Sequence, residues 1–484
     1  MKGAQNHQPT CPVNRTSPPE EIADENCDRD EGDSKVRFNH AFQAYLEWMP
    51  VRHQEGSMGD IDLGSFTQII EWGSLATFIT FDTRISYRSE DPTVGSGPLD
   101  SFGVFAFTYD NVTEYADPDS EVNAALLATA QTELDRQNDP QYTMIGDYMS
   151  LLRDTFQASA DADKPWQIWA ANVMVGPFIL PDTRLFPDVV DPTIRPAFEQ
   201  YLEALFSSPQ GFQARAVAAA AEGQVPSNRD SFAGFSVETR TMLEIARDVA
   251  NNMIILGGDV HDSYAWTLYE DYNITGDPVA VNLVGTAVSS NGLGPAYFAA
   301  FAPIADTVGE DTIYDAIDAA GVATNPGLVF TNQRNKGFFA VSVTPETHTA
   351  EYFLLDSETL VTSFTDARAA NGDGLTADYF CGASLTTNAD TKGSLTKNDA
   401  CAAITFVEER NAVFDLPVPV EPLDGTNEAD LANCGFRGCT FDTQETASPT
   451  NTPSGATSLS TFFPLSLILV VPVVTLSVWF VNLR

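Results

Sequence analysis

The chain has 484 residues, 67 acidic against 25 basic side chains, a formal charge of -42 and 43% hydrophobic content. This length and apolar content exclude a disordered protein or a small module and allow one large domain or two ordinary ones. The charge excludes nucleic acid as a partner, because binding polyphosphate needs Lys and Arg to release counterions; otherwise it describes only a soluble surface.

The residues before Arg37 are polar and acidic, with Pro18-Pro19-Glu20-Glu21, and read as loop. From Arg37 to Met49, Phe38, Ala41, Phe42, Tyr45 and Met49 recur at helical spacing and predict a helix stopped by Pro50. Leu75 to Phe81 and Ile168 to Val175 read as buried strands. Helices fit Val122 to Arg136, Ile145 to Ala158, Ile194 to Phe206 and Val237 to Ala250. Asn252 to Leu256 reads as a core strand ended by the turn signal Gly257-Gly258, and later strands fit Ala280 to Val284, Gly337 to Val343 and Ala350 to Leu355. The fold class is therefore mixed α/β with a substantial sheet.

Asn14-Arg15-Thr16, Asn111-Val112-Thr113 and Asn273-Ile274-Thr275 are glycosylation acceptors by sequence. Six cysteines without a CxxC pair suggest disulfides rather than zinc; Cys381 with Cys401 and Cys434 with Cys439 is the simplest connectivity, with other pairings open. The uncharged run from Phe462 to Val481 is long enough to cross a bilayer as a helix and follows a Ser/Thr/Pro-rich stalk. Two readings compete: a single-pass anchor, and a lipid-anchor signal cleaved near Ser454-Gly455-Ala456. Either puts the protein at the cell surface or outside the cell, anchored to a membrane. The amino terminus, by contrast, lacks the apolar segment of a secretory signal, which leads us to expect a start further upstream. The segments expected are 1–36 polar, 37–356 core, 357–445 disulfide-containing extension, 446–461 stalk and 462–484 apolar tail helix.

Chemistry concentrates in Leu256-Gly257-Gly258-Asp259-Val260-His261-Asp262-Ser263. In an extended segment, residues i and i+2 share a side, so Asp259 and His261 would project together from the end of the strand, and carboxylate plus imidazole suits a transition metal. The competing reading has Asp259 capping a following helix and His261 hydrogen-bonded structurally. No G-x-S-x-G elbow, Walker loop or dinucleotide fingerprint occurs in the right setting. Five histidines without Asn-His or Gly-His-x-His motifs cannot build a calcineurin-type centre in the usual way, so a metal site here needs mostly oxygen ligands and one histidine.

Four blocks in this order and spacing carry a resemblance: Ala44-Tyr45-Leu46-Glu47-Trp48-Met49-Pro50-Val51-Arg52, Trp72-Gly73-Ser74-Leu75-Ala76, Phe81-Asp82-Thr83-Arg84 and Leu256-Gly257-Gly258-Asp259-Val260-His261. Trp166-Gln167-Ile168, Ser231-Phe232-Ala233-Gly234-Phe235 and Lys336-Gly337-Phe338 add to it. Together they resemble the PhoD-type alkaline phosphatases over roughly Glu20 to Asp356. The resemblance implies a metallophosphatase-like β-sandwich flanked by helices, acting on phosphate mono- or diesters outside the cell. It also implies one iron and calcium ions, with Asp259 and His261 as two metal ligands. Arg37 falls near the family's phosphate-contacting arginine, with a solvated helix-start arginine as the competing reading. Asn26, in the partly surviving Glu20-Glu21-Ile22-Ala23-Asp24-Glu25-Asn26, takes the place of the substrate-orienting asparagine and of a further residue at the metals.

The departures matter as much. The family's cysteine ligand and G-D-x-x-Y element lie upstream of anything in this chain, and Ala233 stands where the family has a calcium-binding aspartate, with Asp230 close in sequence. An enzyme truncated at its N-terminus, whose present chain is expected to be inactive or very weak because too few metal ligands remain, and a catalytically inactive surface glycoprotein on a degenerate phosphatase fold are the two functions these observations leave open.

Overall fold

The structure is a computed structural model of the whole chain. It describes residues 67–84, 87–89, 142–208, 231–270, 276–287, 290–355 and 379–401, isolated positions between them, and the backbone of two short strands at 467–471 and 479–481. The chain divides into two units, Met1–Cys401 with Ser466–Arg484, and Ala402–Leu465; all described residues belong to the first. The expected helices at Arg37–Met49 and Val122–Arg136, the three glycosylation acceptors, Asn26, Arg37, Asp230 and the Cys434–Cys439 pair lie outside the described residues.

The described core is a two-sheet sandwich. Its first sheet contains β1 (Gln68–Trp72), β2 (Ala76–Thr80), β3 (Trp166–Ala170), β4 (Met253–Gly257), β5 (Ser263–Leu268), β6 (Ala280–Val284) and β7 (Leu328–Asn332), in the order β1-β2-β3-β4-β6-β5-β7. β2, β3, β4 and β6 run parallel, and the other pairings are antiparallel. The second sheet is antiparallel and contains β8 (Gly337–Val343), β9 (Thr347–Leu355), β10 (Tyr379–Asn388), β11 (Thr396–Asn398), β12 (Leu467–Val471) and β13 (Trp479–Val481).

Side-chain alternation with period two explains why both faces of the first sheet are covered. Ile254 and Leu256 of β4 and Val281 and Leu283 of β6 face the second sheet, packing with Phe339, Val341, Tyr352 and Leu354. Met253 and Ile255 face the other way, into a core shared with helices α1 (Tyr148–Asp161) and α4 (Ser236–Asp248). α1 meets that face with Leu152 and Phe156, four residues apart; α4 meets it with Met242, Leu243, Ile245 and Ala246. Hydrogen bonds tie the sheets together, among them one from Trp166 Nε1 to the Thr344 carbonyl at 2.6 Å and one from Tyr352 Oη to the Tyr264 carbonyl at 2.8 Å. A satellite cluster of Phe186, Phe198, Phe301, Ile313 and Ile317 packs α2 (Phe186–Val189), α3 (Arg195–Ser207), α5 (Gly294–Val308) and α6 (Glu310–Thr324).

Cys381 and Cys401 form the expected disulfide, which joins β10 to the segment just beyond β11. The expected tail helix at 462–484 is corrected: its described parts are strands, with Leu467–Val471 pairing antiparallel to β8 in the register Leu467 to Val343. A run of Leu, Ile and Val satisfies its backbone equally well by extending a sheet edge, and β-branched residues favour that state. No helix among the described residues is long and apolar enough to cross a membrane.

Candidate functional site

Because β2, β3, β4 and β6 are parallel, their C-terminal ends open on one edge of the sheet, where α/β proteins bind ligands. Phe81-Asp82-Thr83-Arg84 follows β2 there, and Gly258-Asp259-Val260-His261-Asp262 follows β4. The latter loop has five residues to connect β4 with β5, and β6 lies between those two strands. It must therefore cross a strand end, about two strand spacings of 4.8 Å, and turn over as it does so.

The crossing requires unusual backbone. Asp259 has φ 76° and His261 φ 65°, both in the left-handed region that residues with a Cβ seldom occupy. This corrects the extended geometry expected from i, i+2 spacing. The segment is a strained loop, and strain of this kind gathers at functional sites. Gly257 enters it where a Cβ would come 2.9 Å from the Val173 carbonyl oxygen, so the close backbone approach expected of this glycine is present.

Arg84 and Asp259, 175 residues apart, meet with Arg84 Nη2 donating to Asp259 Oδ2 at 2.9 Å. The Asp259 side chain is 44% exposed, so its carboxylate is held by the guanidinium and still open to solvent. Asp82, buried beneath, accepts from the Arg84 backbone N–H at 3.2 Å and from Tyr148 Oη at 3.4 Å. The neighbouring segment 173–176 after β3 is fixed by Asn282 of β6, whose Oδ1 accepts from Val175 and Gly176 N–H, each at 3.0 Å.

The His261 carbonyl accepts from Thr286 Oγ at 2.8 Å and from Lys336 Nζ at 3.2 Å. Its ring Nδ1 lies 2.9 Å from the Asn291 carbonyl. The next residue, Asp262, is 1% exposed; its Oδ2 accepts from Leu293 N–H at 2.9 Å and Tyr264 Oη at 3.3 Å. Burial pushes the Asp262 carboxyl up to about 7, offset in part by the Leu293 N–H, the Lys336 ammonium and the Tyr264 hydroxyl. Asp259 caps no helix, since the loop leads into strand β5.

The donors in hand match a metal in kind but not in number. Asp259 offers carboxylate oxygen and His261 an imidazole nitrogen, yet among the described residues no three His, Cys, Asp or Glu side chains gather. Arg84 already holds one Asp259 oxygen, and the described cysteines Cys381 and Cys401 are joined to each other. Ala233, where the resemblance implies a calcium-binding aspartate, is fully buried in the short 3-10 turn Phe232–Gly234 and offers only a methyl group.

Arg84 and Lys336 lie within the motifs that carry the resemblance, and Asp262 directly follows the D-x-H pair, but local sequence alone marks none of them as a site residue. Asn172, at the same sheet edge after β3, has a buried Oδ1 with no partner and gave no local signal.

The chain is similar to a solved structure titled "Structure of PhoD", with 19% sequence identity and a TM-score of 0.44, over 77% of this chain and 52% of that one. It thus spans about half the length of that protein. No curated protein matches it. The family model of the PhoD-like phosphatases matches residues 19–352, and the chain belongs to that family.

Proposed function

We propose that the chain is an extracellular, metal-dependent phosphatase that hydrolyses phosphate mono- or diesters at the sheet edge whose loops carry Arg84, Asp259 and His261. The observation that carries this reading is the 2.9 Å contact between Arg84 and Asp259, which joins the Phe81-Asp82-Thr83-Arg84 and Gly258-Asp259-Val260-His261 motifs into one site. A guanidinium presents donors in a planar fork suited to phosphate oxygens, and Arg84 is 25% exposed and fixed in direction by a carboxylate. In the net reaction a water oxygen bonds to phosphorus as the ester P–O bond breaks, and the departing alkoxide takes up a proton. Iron and calcium are the ions proposed, with donors beyond Asp259 and His261 coming from residues outside the described set; Asn26 and Arg37 are proposed to face the ester. The Cys381–Cys401 disulfide supports an oxidising compartment.

Buried Ala233 favours a second reading, a non-catalytic surface protein on the same fold. The two separate in one assay. A rate of p-nitrophenyl phosphate or bis-p-nitrophenyl phosphate hydrolysis by the chain, purified with iron and calcium, that Asp259→Ala abolishes supports the first reading. Absence of any rate that depends on Asp259 favours the second reading.

A further inference from the structure

His261 sits in a loop with left-handed backbone, and the sheet beneath clamps its main chain. The ring is held from a different direction. Among the described residues its polar neighbour is the Asn291 carbonyl, 2.9 Å from Nδ1. A carbonyl can only accept, so Nδ1 carries the proton, and in the neutral ring Nε2 is then the nitrogen with the free lone pair.

Asn291 belongs to a short stretch between β6 and α5, and something must keep its carbonyl in place. The buried Asp262 carboxylate does so. It accepts from Leu293 N–H at 2.9 Å, and it fills the space beside Gly292, where a methyl group would overlap the carboxylate itself. Tyr264 Oη, 3.3 Å away, braces the same oxygen from β5. The chain thus runs from Asp262 through Leu293 and Gly292 to the Asn291 carbonyl and returns to the ring of the residue preceding Asp262.

We propose that Asp262 is a positioning residue: by anchoring the Asn291–Leu293 segment it fixes the His261 ring in the Nδ1–H tautomer and presents Nε2 as a lone-pair donor. Such an outer contact commonly decides which histidine nitrogen is available for chemistry. This assignment rests on the reading of His261 as a site residue, but its test does not depend on activity.

The experiment is a two-bond proton–nitrogen correlation spectrum of the full chain labelled at its five histidines, at a pH where the rings are neutral, with His261→Gln giving the assignment. The wild-type chain should show His261 with its proton on Nδ1. Asp262→Ala should move it towards the Nε2–H form that a free imidazole favours, whereas Asp262→Asn, which keeps an oxygen acceptor for Leu293 N–H, should restore Nδ1–H. An Nε2–H ring in the wild-type chain, or an Asp262→Ala ring unchanged from wild type, overturns the proposal. The wild-type spectrum decides by itself if Asp262→Ala fails to fold. A chain with the expected tautomer and no phosphatase activity refutes the proposed function while leaving this inference standing.

Discussion

Lys336 Nζ donates a hydrogen bond to the His261 main-chain carbonyl at 3.2 Å, from the start of a strand in the second sheet to a loop of the first. The lysine is 3% exposed, and its charge also faces the buried Asp262 carboxylate. Burial pulls its ammonium below the ordinary value, with Asp262 opposing that pull. The Lys336-Gly337-Phe338 motif therefore acts as a prop under the D-x-H loop.

Lys336→Met keeps the length of the side chain and removes the donor. We expect it to cost about 1–3 kcal/mol of stability and, because it loosens the loop, about tenfold or more in kcat/KM. Urea unfolding and p-nitrophenyl phosphate hydrolysis measured on the same preparation check both parts. Full activity in this variant would remove the prop from the account.

The Arg84–Asp259 pair separates stability from function. Both side chains are partly exposed, and such pairs contribute about 0–1 kcal/mol to folding. Loss of this pair in Arg84→Ala should therefore cost little stability by itself. Hydrolysis should nonetheless fall about 100-fold or more, the scale of losing one charge-stabilising donor. A large loss of stability with activity retained would reverse the assignment.

His348 in β9 is fully buried against Trp166, with ring centroids 5.7 Å apart, and burial lowers its pKa from 6.5 to about 4. Between those values the unfolded chain binds more protons than the folded one. The contribution of neutral His348 is thus fully present above about pH 6.5 and is lost as pH falls towards about 4, amounting to about 3 kcal/mol at most. Replacement by Phe should flatten this part of the stability–pH curve, as read by denaturant unfolding at a series of pH values.

The Cys381–Cys401 bridge closes a loop with a sequence separation of 20. Removing it by Cys401→Ser with Cys381→Ser should cost about 3 kcal/mol. The disulfide pins the segment beyond β11 to the sandwich through β10. Hydrolysis by the folded double variant should be close to that of the wild-type chain, and a parallel loss of activity would show that the bridge shapes the site.

Much of the sandwich was legible because its strands are short apolar bursts with punctuation. β6 and β8 fall at their expected limits, and Met253–Gly257 is displaced by one residue from its expected span. β5 was missed because Ser263–Leu268 follows the D-x-H loop directly, with no turn residues of its own to mark a start. Pro303 obscured α5, since a proline inside an alanine-rich run argues against a helix that packing nevertheless maintains. The order of β4, β6 and β5 in space left no trace in local periodicity. For that reason the i, i+2 argument put Asp259 and His261 at the end of β4, where they lie, but with the wrong backbone. The Arg84–Asp259 contact spans 175 positions, and no window of neighbouring residues could reveal it.

The same strand order bears on how the protein matures during synthesis. β4, the D-x-H loop and β5 all leave the ribosome before β6, which must then slot between strands already made. Thr286, Asn291 and Lys336, which immobilise His261, emerge later still. A nascent chain ending before Ala280 would carry Arg84, Asp259 and His261 without the frame that holds their loops, so competence should arrive late in translation, after the second sheet has begun to close over the first.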